Sequence, residues 1–226
     1  MNAAGVHYVT AGRGEPVILL HGYTQTSRMW KPIMPRLAKR FTVIAPDLPG
    51  SGGSAIPRGG IDMPTAAARI HELARSLGVG RARVVGHDIG LMVAYAYAAQ
   101  FPADVEKLVV MDAFLPGVAG WETIYNHPGI WHFRFNGPTP EALVKGRERA
   151  YFVSFPATAS AFAELSKRRL AIPILAIGGD KANGELLARQ MKLVASDVTV
   201  VVLKDTGHWV LEERPQETTE ALVAFL

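Results

Sequence analysis

Apolar and polar positions follow two rhythms along the 226 residues. Short, nearly continuous apolar runs occur at Pro16–Leu20, Phe41–Ala45, Arg83–Val85, Val105–Met111, Ile172–Ile177 and Val198–Leu203. Runs of this length bounded by turn residues predict strands, and Pro16–Leu20 and Phe41–Ala45 read as strands buried on both faces. Val6–Thr10 alternates instead, and Arg13-Gly14 turns the chain back. Between the runs lie stretches with helical spacing: Met29–Lys39, Met92–Gln100, Glu185–Ala195 and a last helix opened by Arg214-Pro215 and reaching Leu226. Met63-Pro64 opens another, in which Ala67, Ile70, Ala74 and Leu77 share a face and Gly78 marks the stop. Strands alternating with helices predict an α/β fold, a mostly parallel twisted sheet covered on both faces.

In such sheets reactive groups collect at the carboxyl ends of the strands. His21, Asp47, Asp88, Asp112, Asp180 and His208 all fall at predicted strand ends. The alternation breaks between residues 114 and 170, where Trp121, Tyr125, Trp131, Phe133 and Phe135 mix with breakers such as His127-Pro128. A long aromatic insertion between two core strands is expected to fold over the site as a lid and give it a dry pocket. The expected division is a core of residues 1–113 and 171–226 with a lid of 114–170.

Composition narrows the chemistry. With no cysteine, disulfides, thiolate metal sites and a cysteine nucleophile are excluded. The net charge is +4 without a long basic run, so no nucleic-acid partner is expected. No apolar run approaches the ~20 residues of a membrane span. Met1–Gly5 lacks a basic and an apolar signal region, so a cytoplasmic location is expected, although a processed secreted form would read the same. No His/Asp cluster has metal-ligand spacing. The loop Gly50-Ser51-Gly52-Gly53-Ser54 lacks the lysine of a phosphate loop and reads as a turn. Neither metal nor cofactor is expected.

The segment Val84-Val85-Gly86-His87-Asp88-Ile89-Gly90-Leu91 has the layout of a nucleophile elbow, a tight strand-to-helix turn with one side chain raised above the sheet. Its central residue is an acid. A carboxylate is a poor acyl-transfer nucleophile, because the product would be an anhydride. It is a competent SN2 nucleophile at an sp³ carbon bearing a leaving group, and water must then cleave the resulting ester. The competing reading of Asp88 is a helix N-cap. His208, flanked by Gly207 and Trp209 after the last strand, is expected to be the general base, against a structural histidine. Asp112 and Asp180, each after a strand, both qualify as the acid that orients it. The Ile89 N–H is the nearest oxyanion donor. His87 is expected to pack or bond nearby and His71 to face solvent, while His7 and His127 have no partner that spacing identifies.

His21-Gly22-Tyr23, Asp47-Leu48-Pro49-Gly50-Ser51-Gly52, Gly86-His87-Asp88-Ile89-Gly90 and Gly207-His208-Trp209 together resemble the α/β-hydrolase superfamily, and within it the epoxide hydrolase and dehalogenase branch with an Asp nucleophile. The resemblance covers nearly the whole chain. It implies that the triad acid is Asp112, that the Tyr23 N–H is the second oxyanion donor, and that His21-Gly22 shapes that loop. His132 within Trp131-His132-Phe133, paired with Tyr151, matches the lid acids that protonate an epoxide oxygen. Trp131 and Trp209 are the adjoining substrate-contact candidates. The lid reads as short by a few tens of residues, with the loss placed near Ala150 and Tyr151. Haloalkane dehalogenases carry a halide-binding Trp where this chain has Ile89, and haloacetate dehalogenases carry arginines that Ile89, Leu91 and Met92 do not supply. The resemblance therefore implies an epoxide hydrolase acting on a small, neutral, fairly hydrophobic substrate. A haloalkane or haloacid dehalogenase is the second reading and a non-catalytic ligand-binding relative the third. Lids of this kind can form dimer contacts, which makes a homodimer the one macromolecular partner implied.

Overall fold

A computed structural model of the chain describes residues 1–56, 62–127 and 155–226. The predicted strands, with one more at the start of the chain, form one sheet: β1 (Asn2–Ala3, not predicted), β2 (Val6–Ala11), β3 (Glu15–Leu20), β4 (Phe41–Pro46), β5 (Ala82–His87), β6 (Val105–Met111), β7 (Ile174–Gly179) and β8 (Val198–Leu203). Their spatial order is β1-β2-β4-β3-β5-β6-β7-β8. β2 runs antiparallel to β4, and every pairing from β4 through β8 is parallel. The chain builds outward on one side of β3 as far as β4, then returns to place β5 on the other side. The carboxyl ends of β3 and β5 thus flank a topological switch point, the usual place for a site in an open α/β sheet.

In β3 through β7 the apolar runs are explained by burial on both faces, whereas β8, at the sheet edge, is only partly buried. Ile18, Leu20, Val84, Leu108 and Val110 face the helices α2 (Met63–Ser76) and α3 (Ile89–Gln100) in one core. Val17, Leu19, Val43, Val85 and Val109 face a second core with Trp30, Leu37 and Leu222. Neighbours along a strand point to opposite faces, so a strand between two helical layers must be apolar at every position. α3 is buried from Gly90 through Ala98, because it packs on the sheet, on α2 and on the helix Phe155–Leu165. On that outer side Phe162 is fully buried and meets Tyr95 edge-on at 5.0 Å.

Three expectations are corrected. Met29–Lys39 is not one helix but a 3-10 turn, Ser27–Trp30, followed by the single turn α1, Met34–Leu37. Pro32 and Pro35 interrupt the stretch: a proline has no N–H to continue the ladder, and Pro35 is tolerated in α1 because it sits in its first turn. The strand expected from Ile172 begins at Ile174, after Pro173, and runs on to Gly179. His71 does not face solvent freely. Its ring stacks on Phe101 at 3.8 Å and its Nε2 lies 2.7 Å from an Asp104 carboxylate oxygen.

The elbow glycines are dictated by close backbone approach. A Cβ on Gly86 would lie 2.1 Å from the Gly90 carbonyl oxygen, and one on Gly90 would lie 2.4 Å from that of Leu20. Both obstacles are backbone atoms, which cannot rotate away. Gly86→Ala and Gly90→Ala should each lower the denaturant midpoint by the equivalent of about 3 kcal/mol or prevent folding, as severe overpacking does. Gly80→Ala, where a Cβ meets nothing within 4 Å, should stay within about 0.5 kcal/mol of the parent in the same urea titration.

Candidate active site

Asp88 follows β5 directly and caps α3, with φ 55° and ψ −125°. A non-glycine residue rarely holds such a conformation unless its surroundings over-determine it. Here the Asp88 N–H is bonded to the Met111 carbonyl at 3.1 Å and its carbonyl accepts the Leu91 N–H at 2.9 Å. The side chain is oriented just as fully. Oδ1 accepts the N–H of Ile89 and, at 3.2 Å, that of Tyr23. Oδ2 lies 2.9 Å from Nε2 of His208.

His208 reaches the site from the loop after β8. Its Nδ1 lies 2.8 Å from Oδ2 of Asp112, which ends β6 and whose side chain is fully buried. The other Asp112 oxygen accepts N–H groups from Gly179 at 3.0 Å and Asn183 at 3.2 Å. Strands β5, β6 and β8 therefore deliver Asp88, Asp112 and His208 to one point. With a carboxylate at each ring nitrogen, both nitrogens donate and the ring is an imidazolium. Burial opposes that charge, but the hydrogen bonds and charges of Asp112 and Asp88 outweigh it and raise the His208 pKa to about 10. Burial would likewise raise the Asp88 carboxyl. The hydrogen bond and charge of His208 prevail and bring it to about 2.

The competition between the two acids is decided by position. Asp180 is exposed, and its Oδ1 accepts the Thr206 N–H at 3.1 Å. That bond is the main cause holding its carboxyl below the usual range. It ties down a turn, so the reading of Asp180 as partner of His208 is corrected in favour of Asp112. His21 shapes its loop, as expected. Its Nδ1–H donates to the Gly22 carbonyl at 2.8 Å, and its Nε2 accepts the Leu48 N–H at 2.8 Å. Both nitrogens brace the loop that presents Tyr23, and burial holds the ring neutral by lowering its pKa. His87 is buried, its Nε2–H donates to the His208 carbonyl at 3.0 Å, and desolvation keeps it neutral too. His7 has a partner that spacing did not disclose, Oδ2 of Asp47 at 2.9 Å.

Above Asp88 lies a cavity of about 590 Å³. Met92, Ala113, Phe114, Ile124 and Trp209 supply its apolar wall, and Tyr23, Thr24, Lys181, Ala182, Asn183, Asp88 and His208 the remainder. Trp209 is 42% exposed and meets the His208 ring edge-on at 4.9 Å. Lys181 in the cavity lining pairs with Asp205 at 2.9 Å. Sequence reasoning missed Thr24, Met92, Phe114, Ile124, Lys181 and Asn183. Thr24 and Asn183 each follow a flagged strand end by a few residues, a usable signal. Met92 and Ile124 are distinguished only by tertiary position. Trp131, His132 and Tyr151, and the junction Ala150–Tyr151, lie outside the described residues. Among the described residues no group of three His, Cys, Asp or Glu is placed to hold a metal, and no helix is long and apolar enough to cross a membrane.

Residues 17–221 match the family described as "Alpha/beta hydrolase family". The chain is 31% identical to a soluble epoxide hydrolase of Corynebacterium sp. (strain C12), covering 100% of this chain and 94% of the relative. That alignment runs over 272 positions against 226 residues here, so the relative has segments that face gaps in this chain. A fluoroacetate dehalogenase of Burkholderia sp. is 34% identical over 62% of this chain and 49% of its own length. The solved structure of the epoxide hydrolase CorEH without ligand superposes with a TM-score of 0.81 at 30% identity, covering 97% of this chain and 94% of that one.

The charged cluster makes stability depend on pH from both sides. The His208 contribution is fully present below its unfolded pKa of about 6.5 and is lost as pH rises through about 10. The Asp88 contribution is present above its unfolded pKa of about 3.9 and is lost as pH falls through about 2. Calorimetric Tm values should accordingly decline between pH 7 and 10 in the parent, and that decline should be shallower in His208→Gln.

Proposed function

Because the chain belongs to the alpha/beta hydrolase family, we propose that it is an epoxide hydrolase-like enzyme that opens a small, fairly hydrophobic epoxide to a vicinal diol through an ester on Asp88. The observation that carries this reading is the setting of Asp88. One oxygen rests on two backbone N–H groups and the other points to His208 beneath a largely apolar cavity.

In the first step Oδ2 of Asp88 attacks an epoxide carbon. A C–O ester bond forms, the ring C–O bond breaks, and the released oxygen takes a proton from the lid acids, His132 and Tyr151 in this proposal. In the second step His208 removes a proton from water, and the hydroxide adds to the ester carbonyl carbon. The developing oxyanion is Oδ1, already held by the N–H groups of Tyr23 and Ile89. Collapse expels the diol oxygen, which takes the proton from His208, and the carboxylic acid left on Asp88 then gives its proton to His208, restoring the carboxylate and the imidazolium.

The imidazolium explains the order of events. While Asp88 is ionised, His208 carries a proton on each nitrogen and cannot act as a base. Esterification removes one of its two counter-charges, so its pKa falls; it releases its Nε2 proton through solvent to the lid acid spent in the first step and can then accept the proton of water. Asp112 remains and still favours the protonated ring, against burial.

The similarity to a fluoroacetate dehalogenase favours a second reading, the same attack on a carbon bearing a halide. Ile89 offers no halide-binding side chain, and Lys181, which lines the cavity, is engaged by Asp205.

Trapping separates the readings. His208→Gln incubated with epoxides should gain the mass of one epoxide on Asp88, seen by intact-protein mass spectrometry, and Asp88→Ala should gain nothing. An adduct appearing only with haloalkanes or haloacids, with halide released, would replace the first reading by the second. No adduct from either panel would overturn both. In the parent enzyme, quenched-flow should find that ester formation does not fall off between about pH 7 and 4, since Asp88 stays ionised there. Ester decay should rise with pH across the neutral range, as the lowered His208 pKa requires.

A further inference from the structure

The general base in the proposed reaction sits on a loop, yet it must meet a water and two carboxylates within a few tenths of an ångström. Its backbone is held from both sides by groups to which that reaction gives no part. On one side, the buried His87 ring donates its Nε2–H to the carbonyl of His208 at 3.0 Å. On the other, the Glu213 carboxylate accepts the N–H of Gly207 at 2.7 Å with one oxygen and the N–H of Trp209 at 3.0 Å with the other. These are the residues immediately before and after His208. The Glu213 N–H returns to the Trp209 carbonyl at 2.8 Å, which closes the short turn between them.

We propose that Glu213 and His87 are positioning residues for His208: a two-oxygen carboxylate clamp on the peptide groups flanking the base, and an imidazole donor on its carbonyl. A carboxylate suits the first task because both groups it meets are donors. A glutamine would offer one acceptor and turn an NH₂ group toward an N–H. His87 suits the second because desolvation keeps it neutral, so it adds no charge beside the nucleophile that follows it in sequence. Glu213 is exposed and its bonds compete with water, so it tunes the aim of the imidazole without holding up the fold.

This proposal rests on the Asp88 ester reading, in which His208 is needed as a base only for the second half-reaction. Loosening the clamp should slow ester decay and spare ester formation. In Glu213→Gln, with His208 intact, the adduct should accumulate, its decay slowed about tenfold and its formation rate unchanged. Glu212→Gln, the exposed neighbour, should decay like the parent. Unchanged decay in Glu213→Gln, or formation and decay slowed equally, would overturn the clamp. His87→Phe keeps the ring volume and removes the donor, and its decay should slow as well. If that buried change prevents folding, Glu213→Gln decides alone. A ¹⁵N NMR titration of His208 in the resting Glu213→Gln protein tests the clamp without any substrate. The pKa should fall below the parent's as the ring slips from its carboxylates, and an unchanged pKa would overturn the proposal. Failure of the ester reading shows elsewhere, as no adduct in His208→Gln, and the titration would still decide the clamp.

Discussion

An imidazolium held between two carboxylates is the interaction on which this molecule turns. His208 lies 2.9 Å from Asp88 and 2.8 Å from Asp112, and each neighbour makes the others' ionisation tolerable in a mostly buried place. Three strands must end at one level for the contact to exist, which fixes the register of β5, β6 and β8. It also requires the strained φ of Asp88 and, at the end of β6, a φ of 40° at Asp112. The rigid sheet and the backbone bonds around the elbow meet that strain, and the two elbow glycines let α3 pack close enough to supply them.

In the proposed reaction the same interaction orders the chemistry. A base protonated until its partner is esterified could not attack prematurely, and a nucleophile with a depressed pKa would be ready at any ordinary pH. The cavity above contributes little charge: its wall is largely apolar, and Lys181 is engaged by Asp205. The site thus concentrates its electrostatics beneath the cavity, at Asp88, His208 and Asp112.

Much of this was legible in the chain because the signals are local. A buried parallel strand must be apolar throughout, and an elbow must have glycines around its reactive residue, so β3 through β8 and Asp88 can be found without a structure. What could not be read depended on tertiary position. Asp112 and Asp180 end adjacent strands and look alike in sequence; one is sealed beneath His208 and the other faces solvent across a turn. Met29–Lys39 has helical spacing, but Pro32 and Pro35 remove the donors that spacing assumes. His71 looked exposed on its own helix because Phe101 and Asp104, its partners, come from the end of another. Glu213 lies six residues from Gly207, and only the turn between them brings its carboxylate back.

The central claim is that Asp88, and not water, makes the first bond to the substrate. A single turnover with enzyme in excess over epoxide, run in H₂¹⁸O and followed by mass spectrometry of diol and protein, tests it directly. The account predicts an unlabelled diol from the first turnover, with ¹⁸O appearing in the Asp88 carboxylate. An ¹⁸O-labelled diol with no label in the protein would mean direct attack by water and would contradict it.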